Sequence, residues 1–222
     1  MFYPDMKINN NQPSFKSRNL SIKDAQQVCR IVRKTFPYVS YAKAAREASS
    51  SILHRENIFN FIINKEQKLK EFREDRLFFK NPFKFYNEVI YTAIKGKIAS
   101  CAELSYLTEM ILKMNGIKKC VKVSLISESG KNLNHCVVCL SKSQDPKKLI
   151  ILDPWLQDAG YLHEMITKYK NEYSKYLKKF NKNEKVHLLF AQDKLLSNDD
   201  IKNLASKYPQ LIFDEKFFKN LK

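Results

Sequence analysis

The 222 residues are 44% hydrophobic, which suits a globular chain able to bury a real core and excludes a disordered one. No apolar run approaches the about 18 residues that a membrane-spanning helix needs, and Met1 to Leu20 has no apolar stretch of the kind found in a cleavable secretory signal. The formal charge of +17 invites nucleic acid or an anionic membrane, but it comes from 33 Lys against 7 Arg, whereas phosphate recognition leans on the bidentate Arg fork.

Residues 1–20 read as a polar, Asn-rich leader. The remainder, 21–222, reads as one unit, with 21–80 a helical extension and 81–222 the core. Ser21 and Asp24 have the spacing of a capping box, and Val28, Ile31, Val32 and Phe36 follow at helical period until Pro37. Tyr41 to Arg55 and Ile58 to Phe79 also predict helix, the second with a solvated charged face. Asn81-Pro82 is a good helix start, and Phe85, Val89, Ile90 and Ala93 supply its apolar face up to Gly96. Cys101 to Asn115 predicts a helix with Leu104, Leu107, Ile111 and Met114 on one side and Asn115-Gly116 as its cap.

The pattern then changes to strands. Val121 to Ser127, His135 to Leu140 and Leu149 to Leu152 are β-like, and the turn at Ser127 to Gly130 makes the first two a hairpin. A helix follows Gly160 to about Phe180, then a strand at Val186 to Phe190. Ser197 and Asp200 cap a last helix, Ile201 to Lys207. Helices followed by one helix feeding an antiparallel sheet is an α+β layout.

The five cysteines, Cys29, Cys101, Cys120, Cys136 and Cys139, are odd in number and irregularly spaced, so free thiols are expected rather than a disulfide framework. Cys136-x-x-Cys139 hints at zinc, but positions three apart on a strand point to opposite faces, and no second pair has ligand spacing. The expectation is therefore no metal and no organic cofactor.

Three segments carry chemistry together. Cys101 opens a helix, where unpaired backbone N–H groups and the positive end of the helix dipole favour a thiolate. The same Cys101 N–H can hold an oxyanion. His135 begins an apolar strand, and Asp153 closes the next one, ahead of Pro154-Trp155. Each has a plain reading by itself: a small core thiol, a packed His, a turn-starting Asp-Pro. Together they form a nucleophile, a base and a group that fixes the base's tautomer. Trp155 packs over the pair or fills core. Of the other histidines, His187 on a strand is the better substitute for His135, ahead of His54 and His163.

In this order, Cys101-Ala102-Glu103, Asn134-His135 and Leu152-Asp153-Pro154-Trp155 resemble the papain-like and transglutaminase-like cysteine enzymes, and most closely the bacterial toxin and effector glutamine deamidases. The resemblance spans roughly Phe85 to Trp155. It implies a nucleophile helix packed on an antiparallel sheet, and a reaction that converts a glutamine of a host signalling protein to glutamate. Protease and transglutaminase activities share the same triad. The Gln that papain-type enzymes carry shortly before the Cys is missing, as is the Trp beside the nucleophile; both gaps point toward the deamidases. The resemblance further implies a secreted bacterial effector without a cleavable signal, acting in the host cytosol, and the basic charge suits a partner protein with an acidic surface or an anionic membrane. The competing class is a basic module for nucleic acid or anionic membrane in which Cys101, His135 and Asp153 are incidental; it predicts binding that weakens steeply with salt.

Overall fold

The structure, a computed structural model, describes residues 20–35, 81–96, 99–130, 132–140, 146–171, 185–190 and 196–211. The leader up to Asn19 and the helices expected at Tyr41 to Arg55 and Ile58 to Phe79 lie outside the described residues, as does the stretch after Asn171 of the helix expected to reach Phe180.

Helix α1 (Ile22–Thr35) starts where the capping box places it: Asp24 N–H donates to Ser21 Oγ at 3.2 Å, and Ser21 N–H donates to Asp24 Oδ2 at 2.9 Å. Its buried face is Ala25, Val28, Cys29 and Val32. Helix α2 (Pro82–Gly96) begins with proline in its first turn, and Asn81 Oδ1 accepts from Lys84 N–H at 2.9 Å. Helix α3 (Cys101–Met114) was expected to bury one face, yet every residue from Glu103 to Met114 is buried. The reason is its place between the sheet and the helices α1, α2 and the helix Asn198–Lys207, which leaves no side for solvent.

Full burial obliges α3 to satisfy its own polar side chains. Glu109 accepts from Tyr86 OH at 3.2 Å and Lys122 N–H at 3.0 Å, and pairs with Lys113 one turn on.

Strands β1 (Cys120–Ser127) and β2 (Asn132–Leu140) form the expected hairpin, closed by a turn in which Gly130 takes φ 77°. A 3-10 turn, Pro146–Lys148, leads into β3 (Ile150–Asp153). Strand β4 (Asp158–Tyr161) returns beside β3, followed by α4 (Leu162–Asn171), β5 (Val186–Phe190) and α5 (Asn198–Lys207). The sheet is antiparallel throughout, in the order β4-β3-β2-β1-β5. The architecture is thus α+β, with five α-helices and five strands among the described residues.

Strand β4 was not anticipated. It is four residues long and includes Gly160, so it lacks both the length and the β-branched content that mark a strand. Pairing with the buried β3 decides its conformation: Leu152 faces Ala159 and Ile151 faces Gly160.

The sheet separates two cores. On one side Cys120, Val138, Leu140, Ile150, Leu152 and Ala159 pack with α1, α2, α3 and α5. On the other, Val123, Leu125, Leu133, Val137, Cys139 and Ile151 pack with Met165 and Tyr169 of α4. Helix α1 is built into the first core. Cys29 Sγ donates to the Asp158 carbonyl at 3.3 Å, and Gln26 Nε2 donates to the Ala159 carbonyl at 3.1 Å.

Candidate active site

The carboxyl end of β3 and the start of β2 bring His135 and Asp153 together. His135 Nε2 lies 2.6 Å from Asp153 Oδ2, with both side chains sealed from solvent. A buried carboxylate is costly unless its lone pairs are used. Here Oδ2 also accepts from Tyr169 OH at 2.9 Å, and Oδ1 accepts from Leu156 N–H at 3.0 Å. The Trp155 and Tyr169 rings meet the imidazole edge-on, each with centroids 5.6 Å away. Trp155 touches His135 and packs against both cores.

This setting fixes the electrostatics of the ring. Burial works against a charged imidazole, but the Asp153 charge and hydrogen bond outweigh it, and the His135 pKa rises above its ordinary 6.5. With Nε2 engaged by Asp153, Nδ1 is the nitrogen left for proton transfer. Beside the same carboxylate, the Tyr169 phenol is pushed well above its ordinary value, first by burial and then by Asp153.

Cys101 sits at the first position of α3. Its helix end is capped by Ser100 and Glu103: Ser100 N–H donates to Glu103 Oε2 at 2.8 Å, and the Ser100 hydroxyl bonds the same oxygen. The side-chain hydrogen-bond partner of Cys101 is the thiol of Cys136, the residue after His135. Neighbours on a strand point to opposite faces. His135 accordingly turns to Tyr169 on the α4 side, while Cys136 turns to Cys101 and to Ser124 Oγ, 3.6 Å away, on the α3 side. Of the three residues expected to converge, the structure brings His135 and Asp153 together and pairs Cys101 with Cys136 across β2.

Two influences at Cys101 oppose the helix terminus. The hydrogen bond to Cys136 and then burial push the Cys101 pKa up, despite the helix terminus. Cys136 moves the other way, pulled down to about 6 by the Cys101 hydrogen bond, against burial, with help from Lys122, Ser124 and His135. The helix dipole is a weak, partly screened field, and the hydrogen bond between the two thiols, the largest influence on each, acts against it at Cys101.

Pairing at this point of the sheet is irregular. Ser124 faces Cys136 but Ile126 faces Asn132, so Leu133, Asn134 and His135 stand against Leu125 alone. Bulges of this kind bend a strand and re-aim its side chains.

Sequence reasoning missed Tyr169 and the role of Cys136. Tyr169 follows Met165 by one helical turn on the buried face of α4, and by pattern alone it is a core aromatic. Strand alternation from His135 was the available signal for Cys136. His163 is exposed and stacks on Tyr161, and His187 is exposed on β5, so neither faces a thiol; His54 lies outside the described residues. Among the described residues no group of three or more His, Cys, Asp or Glu side chains could hold a metal ion, and no helix is long and apolar enough to cross a membrane. No family model, no curated protein and no solved structure matches this chain.

Proposed function

We propose that this protein is a cysteine-dependent hydrolase acting on an amide, and that it deamidates a glutamine side chain of a protein substrate through a thioester at Cys101. The observation that carries the reading is the sealed His135–Asp153 pair, held at 2.6 Å and braced by Tyr169 and Leu156, one residue from the thiol that holds Cys101. A carboxylate fixed by two further donors can hold the imidazole in one tautomer and orientation, as a base in a triad requires. The order of helix-tip Cys101, strand His135 and strand-ending Asp153, with α3 laid on an antiparallel sheet, favours a papain-like or transglutaminase-like core.

The chemistry is balanced without a cofactor. The Cys101 sulfur attacks the amide carbon, and the oxyanion is met by the Cys101 N–H at the helix tip. Nδ1 of His135 receives the thiol proton and passes it to the departing nitrogen, which leaves as ammonia. Water, deprotonated by the same nitrogen, then cleaves the thioester. For this the imidazole must be re-aimed from the α4 side of the sheet toward α3, and the irregular pairing at Leu133 to His135 is the place where the strand can turn the ring. A peptide bond in place of the side-chain amide gives a protease, and a lysine in place of water gives a transglutaminase. The charge of +17 favours a substrate with an acidic surface, and we place the protein among secreted effectors that act in a host cytosol.

The test is intact-mass analysis of candidate acidic proteins after incubation with the unmodified chain and with Cys101→Ala, Cys136→Ala and His135→Ala. A gain of about one dalton per site, as NH2 becomes OH, is expected with the unmodified chain and lost in Cys101→Ala and His135→Ala. Turnover surviving in Cys101→Ala but lost in Cys136→Ala would move the nucleophile to Cys136. Turnover unaffected by all three ends the reading.

A further inference from the structure

Apart from the His135–Asp153 pair, the most reactive grouping among the described residues lies on the α3 side of the sheet. Ser105 Oγ stands 2.8 Å from the carbonyl of Cys101 and 2.8 Å from that of Cys136. One hydroxyl thus clamps the two main chains together, with their thiols in hydrogen-bond contact. A disulfide needs Cα atoms roughly 4.4–6.8 Å apart, and the shared hydroxyl holds the two cysteine backbones side by side where their thiols meet. We propose that Cys136 is a modification site for hydroperoxides and that Cys101 is its resolving thiol, the two closing reversibly to a disulfide.

The surroundings single out this pair among the five thiols. Cys101 and Cys136 are partly open to solvent, whereas Cys29, Cys120 and Cys139 are buried. Cys29 and Cys120 are further engaged with main-chain carbonyls, those of Asp158 at 3.3 Å and Ile117 at 3.1 Å. Cys139 belongs to the core on the other side of the sheet. Cys136 has Ser124 Oγ at 3.6 Å and feels the positive charge of Lys122, whose ammonium lies 4.9 Å from the Tyr106 ring centre. The hydrogen bond from Cys101 pulls the Cys136 pKa down, toward thiolate, while the three buried thiols are all pushed up by desolvation.

In the first step the Cys136 thiolate attacks the outer oxygen of the hydroperoxide. The O–O bond breaks, the inner oxygen leaves with a proton as an alcohol or water, and Cys136 becomes a sulfenic acid. In the second, the Cys101 sulfur attacks that of Cys136. The S–O bond breaks and hydroxide takes the Cys101 proton as water. Two electrons pass from the sulfurs to the peroxide. The product ties the tip of α3 to β2 and occupies the sulfur that the amide reaction uses, although disulfide formation does not itself depend on that reaction.

The experiment treats the full chain with stoichiometric hydrogen peroxide, blocks remaining thiols with N-ethylmaleimide in denaturant, and maps the non-reduced peptides by mass spectrometry. The expected product is a Cys101–Cys136 peptide pair lacking two hydrogens, lost on adding dithiothreitol, with maleimide on Cys29, Cys120 and Cys139. Maleimide on both Cys101 and Cys136, or crosslinks spread over the other cysteines, overturns the proposal. In Cys101→Ser the Cys136 sulfenic acid should persist and be trapped by dimedone; a folded variant with no label on Cys136 overturns it equally. No turnover is read, so loss of the amide-hydrolase reading and loss of this one remain separate results.

Discussion

His135 and Asp153 meet through a 2.6 Å hydrogen bond from which solvent is excluded, and the carboxylate sets the charge of the ring. Because the folded pKa of His135 lies above the unfolded one, the stability contributed by the pair is complete below the unfolded value of about 6.5 and is lost as pH rises through the folded value. In Asp153→Asn, burial acts almost unopposed, so the ring should titrate below 6.5 by proton NMR. A ring that still titrates above 6.5 would falsify the pairing.

Removing the Asp153 side chain altogether should be more damaging. Breaking one side of a buried charged pair costs ~3–5 kcal/mol, and Asp153→Ala also removes the carboxylate that Tyr169 OH and Leu156 N–H share. Tyr169→Phe isolates one of those bonds and should cost ~1.5–3 kcal/mol, the range for a hydrogen bond to a charged group. Urea denaturation of the two variants measures both. A Tyr169→Phe midpoint matching that of the unmodified chain would mean that the phenol does not hold Asp153.

Thiol reactivity distinguishes the two sulfurs. Cys136 should react with iodoacetamide ahead of the other four, its rate rising through a pH of about 6. In Cys101→Ala the largest cause of that depression is gone, so the midpoint should move upward. If Cys101 instead reacts first with an early midpoint, the helix terminus outweighs the sulfur contact and the assignment of thiolate reverses.

Ser105 offers a test of the link between α3 and β2. Ser105→Ala removes the hydroxyl shared by the Cys101 and Cys136 carbonyls and should cost ~0.5–1.5 kcal/mol, the net worth of one hydrogen bond. It should also slow closure of the Cys101–Cys136 crosslink under peroxide. Closure at an unchanged rate would show that the thiol contact alone holds the two strands of chain in place.

Much of the local structure was legible in the chain itself. Ser21 with Asp24 and Ser197 with Asp200 mark helix starts because each hydroxyl and carboxylate can reach backbone donors three residues away. Asn81-Pro82 and the turn at Gly130 are equally local. Strand β4 was not legible, because four residues with a glycine acquire extended structure only from a neighbour.

The candidate site divides along the same line. That Cys101 starts a helix, that His135 lies on a strand and that Asp153 ends the next one all follow from period, caps and turns, which act over a few residues. Which side of β2 each sulfur and ring occupies was decided by packing: Tyr169, 16 residues beyond Asp153, claims the carboxylate, and Ser105 and Ser124 draw Cys136 toward α3. Short-range rules fix where chemistry-bearing residues stand along the chain, but a partner for a buried charge or thiol is chosen among groups distant in sequence, and only the folded core brings those within hydrogen-bonding distance.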